Sequence, residues 1–419
     1  MNFFHYREDE LYCEELPIAY IAEKTKTPVY IYSYKTLKRH YEVFDGAFSG
    51  LPHMVCYSCK ANSNIAIMAI FGSLGSGADI VSGGELFRAS RAGIPPQKTV
   101  YSGVGKTEDE IKRAIKAGIL MINIESEDEL HLISKIAARM KKHVGVSIRV
   151  NPQIDPKTHP YITTGLKKNK FGIIWQDAIR LYKVIKDSRY LMPIGVSSHI
   201  GSQILELSPF IDAVRSLKEM VFHLRDMGIE IRYLDIGGGL GITYKDETAP
   251  HPEEYAEAIK EELKDAHITL ILEPGRVLVG NSGILVTKVI YVKKVSEKIF
   301  VIVDGAMNDL IRPSLYDAYH EITPVFKRKS EIEKVDVVGP ICESGDFFAK
   351  DRLLSRIGPG DLLAINGAGA YGFSMSSNYN SRRRAPEVLV MDDRYFVIRK
   401  RETLKDLVKG EYIPEFLRV

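Results

Sequence analysis

Met54-Val-Cys-Tyr-Ser-Cys-Lys-Ala-Asn-Ser-Asn64 opens as an apolar run and turns polar at Lys60. It reads as a buried strand ending near Cys59, with a lysine just past its carboxyl end. In a parallel barrel such an amine projects into the concave face where active sites assemble, and apolar surroundings can keep it neutral enough to attack a carbonyl. Taken alone, such a stretch is far more often a strand followed by a surface lysine. The rest of the chain decides between these readings. Short Val/Ile-rich segments recur near residues 54–59, 78–81, 99–102, 120–124, 144–150, 194–199, 233–236 and 269–273, and amphipathic helical stretches such as 209–227 and 252–265 fill nearly every gap. That alternation requires parallel strands with right-handed crossovers, and eight units in about 220 residues close a (β/α)8 barrel. A doubly wound open sheet is the alternative. The count of eight, and the scatter of unusual residues over many strand ends, favour the barrel.

After Gly283 the rhythm breaks. Residues 284–294, 299–303, 335–338, 362–365, 387–391 and 395–400 look like strands without comparable helices between them, which predicts a second, antiparallel β domain. Residues 27–33 also have β character although they precede the barrel, followed by a helical stretch from Tyr34 to about Phe48. The expected division is therefore 36–278 for the barrel and 1–35 plus 279–419 for the β domain. With 419 residues and 45% hydrophobic content, both parts can build a core.

Fifty-seven basic and 54 acidic residues leave +3, which gives no electrostatic footprint for nucleic acid or an anionic membrane and points to a small-molecule partner. Charges interrupt the N-terminal residues where a signal peptide needs its apolar stretch, and no run approaches the ~20 residues that span a bilayer. With Cys13, Cys56, Cys59 and Cys342 as the only cysteines, the expectation is a cytoplasmic protein. Cys56 and Cys59 form a CxxC, but no second pair completes a zinc site, so no metal is expected. Only four glutamines, at 97, 153, 176 and 203, lean toward a heat-adapted source.

The other strand ends carry chemistry. The seventh ends in Leu234-Asp-Ile-Gly-Gly-Gly-Leu-Gly241 and the eighth in Leu270-Ile-Leu-Glu-Pro-Gly-Arg276. Loops after the seventh and eighth strands of barrels often hold a phosphate on bare glycine amides. Tight turns explain one or two such glycines, but less naturally three in a row. The sixth strand leads into His199-Ile-Gly-Ser202, and the fifth reaches Arg149. Asp79 and Glu85 lie at and after the second. A Schiff-base lysine, a phosphate site and a carboxylate such as Glu273 are the fittings of pyridoxal phosphate: its aldehyde, its phosphate and its protonatable ring nitrogen. A cofactor-free Schiff-base aldolase, or a barrel that stores the cofactor, would use part of this set.

Cys59-Lys60-Ala61-Asn62, His199-Ile-Gly-Ser202, Gly237-Gly-Gly239, Glu273-Pro-Gly-Arg276, Cys342-Glu-Ser-Gly-Asp346 and Tyr371-Gly372 followed by Tyr379-Asn380 resemble, in order, the motifs of the diaminopimelate decarboxylases. These belong to the alanine-racemase-like (fold type III) pyridoxal-phosphate enzymes. The resemblance runs from Thr27-Pro-Val-Tyr30 to Pro386-Glu-Val-Leu389, with no departure at a motif position. It implies decarboxylation of meso-diaminopimelate to lysine, the last step of lysine biosynthesis, with pyridoxal phosphate held as a Schiff base on Lys60. It further implies that His199 stacks on the ring, that Arg149 meets the ring hydroxyl, and that Ser202, Gly238, Gly239, Gly275, Arg276 and Tyr371 surround the phosphate. Arg276, Arg312, Tyr316, Glu343 and Tyr371 match substrate contacts, and Cys342 matches the proton donor. In this family Cys342 and Glu343 come from the neighbouring subunit, so the resemblance implies a homodimer with shared active sites. Two basic clusters, Lys167-Lys-Asn-Lys170 in a long loop at 151–172 and Arg382-Arg-Arg384, read as solvated loops or as contacts near the site.

Overall fold

Eight parallel strands, β1 (His53–Ser58), β2 (Gly77–Ile80), β3 (Thr99–Tyr101), β4 (Met121–Ile124), β5 (Val144–Arg149), β6 (Leu191–Ser197), β7 (Tyr233–Asp235) and β8 (Thr269–Leu272), pair in sequence order. They close into a barrel between β8 and β1. The computed structural model describes residues 2–154 and 170–417. It divides into two compact units, Leu37–Gly280, and Met1–Thr36 with Asn281–Val419. In the first unit a helix follows each of β1 to β7, and only the four-residue helix Arg276–Val279 follows β8. Five of these helices start on a polar cap whose side chain accepts a first-turn amide: Asn64, Ser82, Thr107, Ser126 and His251. Among the described residues no helix is long and apolar enough to cross a membrane.

The second unit is built on a nine-stranded sheet, with a small three-stranded sheet of Phe4–Arg7, Glu10–Cys13 and Leu16–Pro17. Val29–Ser33, ahead of the barrel in sequence, is a central strand here. It pairs antiparallel with Gly283–Val295 and parallel with Glu387–Met391. All five of its residues are buried, Val29 and Ile31 in an apolar cluster with Ile284, Val286 and Val388. Lys298–Val303 and Ile332–Val338 are also parallel. The sheet is therefore mixed, with most pairings antiparallel as the sequence pattern suggested and two parallel. Both parallel pairs join segments far apart in the chain, and such long connections are what parallel pairing requires. The strand Phe347–Ser355 escaped the sequence reading because Lys350, Asp351 and Arg352 interrupt its apolar pattern, at a point where its register against Ile332–Val338 is irregular.

Inside the barrel, Cys56, Val100, Met121, Ile194 and Ile271 form an apolar layer. The space between these side chains is so fully used that neighbouring strands carry glycine. A Cβ on Gly145 would lie 2.5 Å from Ile194 Cδ1, and one on Gly195 would lie 2.6 Å from Met121 Sδ. At Gly77 the obstacle is backbone, since a Cβ would lie 2.0 Å from the Lys98 carbonyl oxygen. A side-chain obstacle can rotate away, but a barrel strand cannot. Gly77→Ala is accordingly expected to lower stability by about 1–3 kcal/mol, the usual cost of overpacking. A urea unfolding curve with an unchanged midpoint would show that the strands give way more easily than this packing implies.

Candidate active site

At the end of β1 the 3-10 turn Cys59–Ala61 carries Lys60 to the rim of the barrel. Its Nζ donates to Asp79 Oδ2 at 3.1 Å, and Ser58 Oγ donates to the same oxygen at 2.6 Å. Ser58 and Asp79 are register partners on β1 and β2, so strand pairing itself sets this contact. Asp79 is fully buried, whereas a third of the Lys60 side chain remains exposed to the cavity it lines. Just beyond β2, Glu85 accepts from the Val81 amide at 2.8 Å, and burial pushes its carboxyl up to about 7.

The floor of the cavity is acidic. Glu273, just past β8, accepts from Ser102 Oγ at 3.3 Å and is in contact with Asp235 at the end of β7. Burial raises the Glu273 pKa well above the carboxylate range, Asp235 and Asp79 raise it further, and Lys60 opposes them. Burial also pushes Asp235 up to about 6, against the hydrogen bonds it accepts from the Gly237 amide (3.0 Å) and Asn123 Nδ2 (2.9 Å). Burial thus favours the protonated form of Glu273 over the ionised one.

Past β6, His199 Nδ1 accepts from the Gly238 amide at 3.2 Å. Burial, and then the charges of Lys60 and Arg149, hold its pKa well below the usual imidazole value. The ring is thus neutral, with its proton on Nε2. Arg149, the last residue of β5, donates from Nη1 to Glu125 Oε1 at 2.7 Å and from Nη2 to the His199 carbonyl at 3.3 Å. Arg276 donates from Nη1 to the Tyr244 hydroxyl at 2.8 Å and from Nη2 to Ser202 Oγ at 3.0 Å.

The three glycines after β7 have steric reasons of their own. A Cβ on Gly237 would lie 2.6 Å from His199 Nδ1, and one on Gly238 would lie 2.2 Å from the Glu273 carbonyl oxygen. Gly239, at φ +113°, would place a Cβ 2.7 Å from the Gly201 carbonyl oxygen. Close packing of the loops after β6, β7 and β8 accounts for all three, so glycine count alone is weaker support for a phosphate site than the sequence suggested.

Lys60, Arg149, His199 and Glu273 line one cavity of about 440 Å³, within the range of small-molecule sites. A larger cavity of about 830 Å³ lies at the other end of the barrel, between the starts of β7 and β8, and none of the predicted site residues lines it. Ser202, Gly238, Gly239, Gly275 and Arg276 occupy the neighbouring loops. A Cβ on Gly275 would lie 3.0 Å from that of Ala61, next to Lys60. The cavity fits pyridoxal phosphate in kind: an amine for the aldehyde, a buried carboxyl group for the protonatable ring nitrogen, and an uncharged ring for the π face. Ser198 Oγ, buried on its wall, has no hydrogen-bond partner among the described residues.

The remaining predicted residues belong to the second unit. Arg312 is buried at the start of the helix Arg312–Tyr316, with Tyr316 half-buried at its end. Cys342 is exposed, and Glu343 Oε2 accepts from the Tyr379 hydroxyl at 2.6 Å. Tyr371 is half-buried at φ +55°. Arg382 and Arg384 donate to Asn308 Oδ1 (3.0 Å) and Ser376 Oγ (2.7 Å), which anchors them in the structure. The cluster at 167–170, except Lys170, and most of the loop at 151–172 lie outside the described residues.

Sequence reasoning missed Ser58, Ser102, Asn123, Ser147, Ser197 and Tyr244. All but Tyr244 are small polar residues at or near the ends of apolar strand segments, and that pattern is the signal that could have found them.

Residues 34–280 match the family model for the pyridoxal binding domain of pyridoxal-dependent decarboxylases. Barrel and cavity together define that class. The chain is 48% identical over 411 residues to diaminopimelate decarboxylase of Pseudomonas aeruginosa, covering 98% of this chain and 99% of the relative. It is 47% identical to that of Aquifex aeolicus, covering 97% of each. Among solved structures, diaminopimelate decarboxylase of Helicobacter pylori complexed with L-lysine superposes with a TM-score of 0.91 at 46% identity, over 94% of this chain and 98% of that one. The M. jannaschii enzyme in co-complex with L-lysine gives 0.94 at 40% identity, over 99% of each. The chain belongs to the diaminopimelate decarboxylase family.

The acid floor has a consequence for stability. Because burial raises its pKa, Glu273 releases its proton at higher pH in the folded chain than in the unfolded chain, where release occurs above about pH 4.3. The raised pKa therefore leaves stability intact below that pH and erodes it as pH rises toward the folded value. Glutamine imitates the protonated acid. Cofactor-free Glu273→Gln is expected to melt at or above the wild-type temperature at mildly alkaline pH, and scanning calorimetry showing a clearly lower melting temperature would contradict a protonated Glu273.

Proposed function

We propose that the protein decarboxylates meso-2,6-diaminopimelate to L-lysine, the last step of lysine biosynthesis, with pyridoxal phosphate bound as a Schiff base through Lys60. The observation that carries this reading is similarity over nearly the full chain, at 40–48% identity, to diaminopimelate decarboxylases, two of them complexed with L-lysine, in a chain whose Lys60, His199 and Glu273 share one cavity. Bound pyridoxal phosphate supplies a ring that accepts the electron pair left behind when carbon dioxide departs.

The chain's own residues do the rest. Asp79 holds the Lys60 amine at the rim. Glu273 would hold a proton on the ring nitrogen, His199 would offer its neutral face to the ring, and Arg149, clamped by Glu125, would meet the ring hydroxyl. Ser202, Gly238, Gly239, Gly275, Arg276 and Tyr371 take the phosphate. Substrate selection needs both signs of charge, because the distal end of meso-diaminopimelate carries an ammonium and a carboxylate. Arg276, Arg312, Tyr316 and Tyr371 take the carboxylate, since guanidinium forks match its geometry, and Glu343 takes the ammonium. Cys342 Sγ returns a proton to the carbon that lost carbon dioxide. Cys342 and Glu343 act across a homodimer interface, and the exposure of both is compatible with that placement. Free cysteines suit a reducing cytoplasm.

Removing one partner of a desolvated ion pair costs about 3–5 kcal/mol, so a substrate with a lone distal cation should be turned over hundreds-fold less well or worse. Carbon dioxide release from meso-diaminopimelate, ornithine, arginine and lysine, assayed side by side, is expected only from the first. Comparable rates on ornithine would overturn the substrate assignment and leave the cofactor reading intact.

Shared active sites predict complementation. Mixing inactive Lys60→Ala with inactive Cys342→Ala is expected to restore some activity through hybrid dimers, one of whose sites has both residues intact. Absence of recovery, with subunit exchange demonstrated by native mass spectrometry, would place each site within one chain.

A further inference from the structure

In the second unit the helix Arg312–Tyr316 is five residues long and ends at Asp317, whose φ of +50° turns the chain back on itself. The strand Ile322–Pro324 then pairs antiparallel with Leu362–Ile365, Ile322 opposite Ile365, and the Asn366 amide donates to the Glu321 carbonyl at 2.8 Å. Turn and register together bring His320 between Arg312 and Asn366. His320 is fully buried and Arg312 nearly so.

Two contacts of this imidazole fix its protonation. Arg312 Nη1 lies 2.8 Å from His320 Nε2, and a guanidinium nitrogen can only donate, so Nε2 carries the lone pair. His320 Nδ1 lies 2.8 Å from the Asn366 carbonyl oxygen, which can only accept, so Nδ1 carries the hydrogen. The ring is a neutral acceptor for Arg312. It fixes the guanidinium's orientation without cancelling its charge, as a carboxylate in the same place would.

We propose that His320 is a positioning residue for substrate selection: as a neutral acceptor it aims Arg312 at the distal carboxylate without itself offsetting the guanidinium charge. This rests on the assignment of that carboxylate to Arg312 made above.

The test uses the holoenzyme and two competitive inhibitors that differ only in the carboxylate, L-lysine and 1,5-diaminopentane. His320→Asn retains a donor for the Asn366 carbonyl but is too short to accept from Arg312. His320→Gln reaches far enough to offer its side-chain oxygen to Arg312. Loss of one positioned hydrogen bond to a charged group corresponds to about a tenfold effect. His320→Asn is expected to raise KM for meso-diaminopimelate and Ki for L-lysine by about that factor, with kcat and the diaminopentane Ki little changed, and His320→Gln is expected to recover most of the loss. Equal weakening of both inhibitors, or wild-type constants in His320→Asn, would overturn the proposal. Arg312→Gln separates the two levels. If it weakens L-lysine while His320→Asn does not, only the role of His320 fails; if it leaves L-lysine binding unchanged, the assignment of Arg312 itself is wrong.

Discussion

The barrel must bury more acid than base at its active end. Asp79, Asp235 and Glu273 are almost fully enclosed, and Lys60 is the ammonium hydrogen-bonded to Asp79. Three buried carboxylates cannot all stay charged around one amine, because an uncompensated charge in a dry interior costs several kcal/mol. The chain answers with a polar belt. Ser58, Asp79, Ser102, Asn123, Ser147, Ser197, Asp235 and Glu273 come one from each successive strand or its end. Asn123 donates to both Ser102 and Asp235, Ser147 donates to Asn123 and accepts from Ser197, and Ser102 donates to Glu273. The belt satisfies most of the polar groups it buries, Asp79 Oδ1 excepted among the described residues, and burial shifts Glu273 toward its protonated form.

This belt lies above an apolar layer and could not exist without it. Cys56, Val100, Met121, Ile194 and Ile271 fill the interior so closely that glycine is required at neighbouring positions. A close-packed base is rigid, and rigidity keeps Lys60 and Asp79 at hydrogen-bonding distance. The same close approach governs the loops above. Gly237 and Gly238 bring the loop after β7 against His199 and Glu273, so these glycines first serve to seat the imidazole and the acid. A sequence motif read as a ligand cradle can thus owe its composition to packing.

The residues expected to handle substrate rest on a different support. Arg312 is held by a buried neutral histidine, Arg149 by a buried carboxylate. The chemistry follows the task proposed for each. A guanidinium meant to capture a carboxylate keeps its charge when its support is neutral, whereas one meant to touch a polarised ring hydroxyl can share its charge with Glu125.

The alternation of apolar strands and amphipathic helices from Met54 to Glu273 determined the barrel without further help, because period and count leave few ways to bury every strand. The lysine, imidazole and carboxylate at strand ends were legible for a related reason: in a parallel barrel all strand ends open on one face, so position in the chain gives position in space. The mixed order of the second sheet was not legible, since pairing of Val29–Ser33 with Glu387–Met391 joins opposite ends of the chain. Nor were the protonation states. Which carboxylate keeps its proton, and which nitrogen of His199 or His320 carries one, depends on distances of a few ångströms between residues far apart in sequence, and only the folded arrangement sets those.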